Sequence, residues 1–134
     1  MTQIWERLFV GRLQDAEQLS RKNPNRIATV ISLSEQRVED KAADMRYIYL
    51  PIEDDEPVPL CQFEAVMYAI ASSIRSGVVL VQCGVDISRA PTLTAAYAHC
   101  VGYKHFDSAI DEIRQMRPII NPSTILVNSV KEHL

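Results

Sequence analysis

The sequence predicts an α/β fold: a small mixed, mostly parallel sheet with helices on both faces and a helical C-terminal half. Short β-branched, apolar runs alternate with helical patterns in the first part of the chain, which is typical of strands buried on both faces of a parallel sheet. Helical patterns alone fill the remainder. The 134 residues, 47% of them apolar, are enough to close one hydrophobic core, so a single domain over residues 1–134 is expected.

The predicted strands are four apolar runs. Their bounds are Ile4–Val10, Ile27–Leu33, Tyr47–Ile52 and Val78–Gln82. The stretch Ser34–Met45 is polar and weakly helical, and Glu53–Pro59 is predicted to be a loop because of its charges and prolines.

The predicted helices share apolar periodicity and recognisable ends. They are a helix capped by Asp15 and broken at Asn23-Pro24, one over Leu60–Ser76 ended by Gly77, one from the region of Arg89 to about Val101, one that starts at His105 or Asp107 and stops at Pro118, and a final helix capped by Asn121 with Pro122 in its first turn.

Composition and charge exclude several classes of function. The net charge is −3 with scattered Lys and Arg residues, which disfavours a nucleic-acid or membrane-surface binder. The N-terminus MTQIWERLFVG is too short and too charged for a secretory signal, and no apolar run is long enough to span a membrane. We therefore expect a cytoplasmic protein. The sequence does not predict an oligomeric state.

The segment that carries chemistry joins the predicted strand VVLVQ to a helix through CGVDISR. Backbone N–H groups that converge in such a turn, together with the positive end of the helix, form an anion site. In that field the pKa of a thiol falls from about 8.5 toward roughly 3.5 to 7.5, so Cys83 is a candidate thiolate nucleophile. Arg89 can grip two phosphate oxygens with its planar fork, and Ser88 places a hydroxyl near the sulfur. The predicted phosphate-binding residues are Gly84, Val85, Asp86, Ile87, Ser88 and Arg89.

A cysteine and an arginine at this spacing are weak evidence by themselves, because arginine is common in the chain. The match gains weight from its position between a buried strand and a helix, which is the context that the chemistry needs.

Further stretches resemble the dual-specificity branch of the cysteine-dependent protein tyrosine phosphatases over nearly the whole chain. They are LFVG, ATVISL, LPIEDD, SRAPTLTAAY and AIDEIRQMRPIINPS, in the order of that family's signatures. Low-molecular-weight tyrosine phosphatases and arsenate reductases carry their cysteine loop near the N-terminus, and rhodaneses differ in the length of the loop.

The resemblance implies a two-step reaction. Cys83 attacks phosphorus and forms a phosphocysteine while an aspartic acid protonates the leaving oxygen, and water then hydrolyses the intermediate. Asp54 matches the position of the acid, and Asp55 is the alternative. Ser88 matches a hydroxyl that assists breakdown of the phosphocysteine, against a purely structural role as a helix cap. The implied partner is a phosphorylated protein or peptide, phosphotyrosine above all, with phosphoserine or phosphothreonine as alternatives if the pocket is shallow. No cofactor and no metal are implied.

Two departures from the family's pattern support a rival interpretation. Gln82 stands where the family usually has histidine, and Asp86 stands where most members have glycine. Repulsion between the Asp86 carboxylate and a phosphate roughly 6 to 8 Å away would weaken phosphate binding by about 1 to 3 kcal/mol. The rival is therefore a pseudophosphatase that binds phosphorylated partners. Ala90, where Ser or Thr is common, is a milder change.

The remaining cysteines and histidines are given structural roles. Cys61 and Cys100 fall on predicted helices, where small buried hydrophobic residues are expected. The three histidines have no metal-ligand spacing, and His105 is interpreted as a helix start or a surface residue.

Overall fold

A computed structural model describes residues 1–84 and 88–134. Five strands form one sheet in the order β1-β2-β5-β3-β4. The strands are β1 (Thr2–Trp5), β2 (Leu8–Gly11), β3 (Ile27–Ser32), β4 (Arg46–Tyr49) and β5 (Val78–Gln82). β1 is antiparallel to β2, and every other pairing is parallel. The predicted mixed, mostly parallel sheet is confirmed.

The helices are α1 (Leu13–Gln18), α2 (Leu60–Ser76), α3 (Arg89–Cys100), α4 (Phe106–Met116) and α5 (Thr124–His133). They lie on both faces of the sheet, as predicted, and α3 to α5 form the helical C-terminal half. Among the residues described, no helix is both long and apolar enough to cross a membrane.

Alternation along the strands divides the apolar residues into two cores. Leu80, at the centre of β5, packs with α1 on one face, while Val79 and Val81 pack with α2 to α5 on the other. All three side chains are fully buried. Because successive strand residues point to opposite faces, this continuous apolar run is what a central strand covered on both sides requires.

The N-terminal strand prediction was wrong in one respect. Instead of a single strand over Ile4–Val10, the chain forms a hairpin of β1 and β2. The polar pair Glu6 and Arg7 makes the turn, and Arg7 adopts a left-handed φ of 62°. Only β2 continues into the parallel part of the sheet.

Three smaller predictions also need correction. The first helix begins at Leu13, and Asp15 lies inside it, where its carboxylate accepts a hydrogen bond from the Arg12 N–H (2.9 Å). Residues 34–45 contain no helix. The last helix is capped by Ser123 rather than Asn121, because the Ser123 hydroxyl accepts the Leu126 N–H (3.3 Å).

Candidate active site

The candidate site lies at the carboxyl edge of the parallel strands. Gly11, Ser32 and Gln82 are in register at the ends of β2, β3 and β5, so the segments that follow these strands meet there. Cys83 follows β5, which lies between β2 and β3 in the sheet. Ligand sites of open α/β sheets form at this edge.

Cys83 is buried, with 1% of its surface exposed, and the backbone after it turns sharply. Gly84 has φ of 75°, a conformation that glycine adopts without steric cost. Its N–H donates to the side-chain oxygen of Gln82 (2.8 Å), and its carbonyl accepts the N–H of Leu13 (2.9 Å). The neutral amide of Gln82 therefore stabilises the turn by a hydrogen bond to Gly84. Gln82 occupies the position where the phosphatase family named above usually has histidine.

Arg89 is the first residue of α3 and is 7% exposed. Its Nη1 donates to the carbonyl of Ile52 (3.0 Å) and to the carboxylate of Glu35 (3.4 Å). Its Nη2 donates to the carbonyl of Cys83 (3.4 Å). The structure thus brings the predicted arginine to the main chain of the predicted nucleophile.

Neither Glu35 nor the carbonyl of Ile52 was predicted as a partner of Arg89. The position of Glu35 in the sequence could have predicted that it lies near Cys83. Glu35 comes three residues after β3, and β3 pairs with β5, which Cys83 follows. A carboxylate in that place lies at the same edge of the sheet as Cys83.

Ser88 is buried and occupies the N-cap position of α3. Its hydroxyl oxygen accepts the N–H of Ser123 (2.8 Å), at the start of α5. The Ser123 hydroxyl in turn donates to the carboxylate of Asp55 (2.9 Å). These bonds tie the start of α3 to the start of α5 and to the loop before α2.

The two candidate acids occupy the same turn in different surroundings. Asp55 is exposed, has φ of 57° and is bound to Ser123. Asp54 is half-buried, and its buried Oδ1 accepts no hydrogen bond from any residue described. The carboxylate of Asp55 is therefore committed to a structural contact that the carboxylate of Asp54 does not make.

A second cation contributes to the electrostatics of the site. Burial lowers the pKa of Arg117, and the charges of Asp15 and Cys83 act in the opposite direction. An arginine remains charged in proteins. Arg117 therefore adds a positive charge within electrostatic range of the Cys83 thiol.

Three of the predicted phosphate-binding residues, Val85, Asp86 and Ile87, lie outside the described residues. The expected effect of Asp86 on phosphate binding remains a prediction. Within residues 1–84 and 88–134, no group of three or more His, Cys, Asp or Glu side chains is arranged to hold a metal ion.

The expectation for the other two cysteines was wrong, because Cys61 and Cys100 are both exposed. Each lies on a helix, as predicted, but its side chain is on the outer side. His105 is an exposed residue at the N-cap of α4, which confirms its interpretation as a helix start.

Residues 8–133 match the family described as dual specificity phosphatase, catalytic domain. The chain is 29% identical over 118 residues to dual specificity protein phosphatase 15 of Homo sapiens, covering 87% of this chain and 40% of that protein. The Mus musculus protein of the same name is 28% identical over 92% of this chain and 53% of its own length. The chain thus spans about half or less of these relatives.

Solved structures show the same fold. A crystal structure of DUSP15 has a TM-score of 0.83 at 27% identity, covering 98% of this chain and 85% of the other. Human DUSP28 has a TM-score of 0.85 at 20% identity, covering 99% and 94%. With the family match over residues 8–133, these similarities show that the chain belongs to the dual specificity phosphatase catalytic-domain family.

Proposed function

We propose that this chain is a phosphatase that hydrolyses phosphotyrosine in proteins or peptides through a phosphocysteine on Cys83. One observation carries the proposal: the buried guanidinium of Arg89, at the start of α3, contacts the main chain of Cys83 at the carboxyl edge of the sheet. A fixed cation and a helix N-terminus beside a thiol favour both the thiolate and a bound phosphate.

In the first step the Cys83 thiolate attacks phosphorus, and the bond from phosphorus to the leaving oxygen breaks. Arg89 binds two of the non-bridging oxygens with parallel N–H donors. Its position supports this role, because Nη1 is anchored by Ile52 and Glu35. A fixed guanidinium needs no reorganisation as charge develops in the transition state.

Asp54 is the proton donor to the leaving oxygen. It lies two residues after Ile52, whose carbonyl accepts from Arg89, so its turn is tied directly to the phosphate-binding arginine. Asp55 is instead a positioning residue, because its carboxylate holds Ser123 and through it Ser88.

In the second step water attacks the phosphocysteine, Asp54 accepts the proton of that water, and the thiolate leaves. The Ser88 hydroxyl donates a hydrogen bond to the departing sulfur. The N–H of Ser123 supports this role, because its hydrogen bond to the Ser88 oxygen fixes the position of that hydroxyl at the start of α3.

The test is a hydrolysis assay on para-nitrophenyl phosphate beside phosphotyrosine, phosphoserine and phosphothreonine peptides with identical flanking residues. We expect turnover of the aryl phosphate and of the phosphotyrosine peptide, with none by Cys83→Ser. If the wild type binds phosphopeptides but releases no more phosphate than Cys83→Ser, the chain is a phosphate-binding module and the proposed catalysis is wrong.

A further inference from the structure

The connection between β3 and β4, residues 33–45, is held in place without forming a helix. The carboxylate of Glu17, on α1, accepts the N–H groups of Glu39 and Asp40 at 2.8 Å each. The N–H of Ala42 donates to the Tyr47 hydroxyl (2.8 Å), and Val38 is buried against α1. Side chains on this connection are therefore presented by a fixed backbone.

Two cations of this connection lie over aromatic rings of the edge strand β4. The guanidinium carbon of Arg37 is 3.8 Å from the centroid of the Tyr49 ring, and the Lys41 Nζ is 5.5 Å from that of Tyr47. Tyr47 and Tyr49 are two residues apart on one strand, so they share a face of the sheet. We call these four residues the cationic rim.

No carboxylate among the described residues pairs with either cation of the rim. Of the acids on this connection, Asp40 is bound by Arg21 (3.5 Å) and Glu35 by Arg89 (3.4 Å), while Glu39 and Asp44 are exposed. Arg37 and Lys41 are both exposed. A guanidinium whose face is covered by a ring still presents the donors along its edge, which is the geometry that binds a carboxylate or a phosphate bidentately.

The rim adjoins the candidate active site. The Tyr49 hydroxyl donates to the Glu35 carbonyl (2.7 Å), and the Glu35 carboxylate contacts Arg89. Arg37 comes two residues after Glu35, which limits the separation of their Cα atoms to about 7 Å. An extended peptide advances about 3.3 Å per residue, so a side chain about two or three positions from a phosphoresidue held by Arg89 reaches the rim.

We propose that the cationic rim is a specificity site for an anionic group of the substrate, a carboxylate or a second phosphate close in sequence to the phosphoresidue. This inference rests on the proposed function for the identity of the substrate as a phosphopeptide. The depression between Arg37, Lys41 and the two tyrosines has a volume of about 40 Å³, the space of two or three water molecules.

The test measures equilibrium binding of fluorescent phosphotyrosine peptides to the Cys83→Ser protein, so that turnover plays no part. One peptide carries Asp at the second and third positions from the phosphotyrosine, and its partner carries Asn there. We expect the acidic peptide to bind about three- to tenfold more tightly at low salt, with a smaller preference as salt is raised. A third peptide with phosphoserine at the same place distinguishes a preference for phosphate from one for carboxylate.

Substitutions locate the preference. It should disappear in Arg37→Gln/Lys41→Gln and fall partway in Arg37→Lys, which keeps the charge but loses the bidentate fork. The matched control is Arg114→Gln, which removes an exposed arginine paired with Asp111 on α4. That control should keep the full preference.

Equal binding of the two peptides, or a preference that survives in both Arg37 variants, would overturn the inference. Hydrolysis of para-nitrophenyl phosphate by the wild type tests the proposed function separately, because that substrate has no flanking residue. If the protein prefers the acidic peptide but does not hydrolyse para-nitrophenyl phosphate, the cationic rim is supported as a specificity site and the proposed catalysis is rejected. If the protein hydrolyses para-nitrophenyl phosphate but binds both peptides equally, the proposed catalysis is supported and the specificity site is rejected.

Discussion

The two sides of the candidate site are built differently. On the nucleophile side, Cys83 and Arg89 are buried, and main-chain carbonyls bind the arginine. On the acid side, Asp54 and Asp55 lie in a turn that is half-buried to exposed. A side-chain bond from Ser123 to Asp55 holds this turn, and the carbonyl of Ile52 just before it accepts from Arg89. In the proposed mechanism, phosphate binding and attack would therefore depend on the buried strand, turn and helix, and proton transfer would depend on a carboxylate in a more exposed turn.

Cys83→Ser should have the largest effect. A serine hydroxyl is not ionised near neutral pH and is a weak nucleophile, so we expect hydrolysis to fall on the order of 10⁴-fold or more. Phosphate binding and the thermal unfolding temperature should be largely retained, because the turn is preserved. Near-wild-type turnover by this variant would remove Cys83 from the chemistry.

Arg89→Lys should be nearly as damaging, with kcat/KM lower on the order of 10³-fold. Lysine keeps the charge but cannot make the paired contacts to phosphate, nor reach Ile52 and Glu35 with the same fork. Vanadate affinity should fall with kcat/KM. A lysine variant with wild-type rates would contradict a bidentate role.

Asp54→Asn should slow hydrolysis of a phosphotyrosine peptide by about 10²-fold, at the low end for proton transfer, since water can reach a half-buried carboxylate. An activated aryl phosphate should be affected less, because its leaving group needs no acid. Asp55→Asn is the matched control. If Asp55→Asn shows the dependence on the leaving group and Asp54→Asn does not, the acid has been assigned one residue too early.

Gln82→Leu should have the smallest effect and act on stability. It leaves the buried N–H of Gly84 without its acceptor, which costs about 1 to 3 kcal/mol of unfolding free energy. Urea unfolding measures this. The control is Ser73→Ala, since the buried Ser73 hydroxyl has no partner among the described residues and its removal should not destabilise the chain. Equal effects of both substitutions would mean that the Gln82 bond contributes nothing specific.

The nucleophile side could be predicted from sequence because its geometry is local. Cys83, Ser88 and Arg89 lie within seven consecutive residues between β5 and α3, so the strand and the helix alone bring them together. The partners of Arg89 and Ser88 could not be predicted in this way. Glu35 and Ser123 are far from them in sequence, and the contacts arise from strand order and helix packing.

Burial was predicted well for β2, β3 and β5. It was wrong for β4, an edge strand whose residues are half-buried or exposed, and for single helix positions. The apolar run of β5 requires cover on both faces, whereas a helix shows only part of its circumference to the core. Cys61 and Cys100 lie at opposite ends of their helices, α2 and α3, where the apolar stripe gives little guidance. The pattern therefore did not predict that both cysteines are exposed.

The proposed mechanism requires that phosphate be transferred to Cys83, and trapping the phosphocysteine would reveal that transfer. A phosphotyrosine peptide carrying radiolabelled phosphate is mixed with the wild-type chain, quenched in acid within one turnover and digested for peptide mapping. Label on the peptide that contains Cys83, absent from Cys83→Ser and increased in a Ser88→Ala variant with slow breakdown, is the predicted result. Label on any other residue, or phosphate release with no labelled protein at any quench time, would contradict the account.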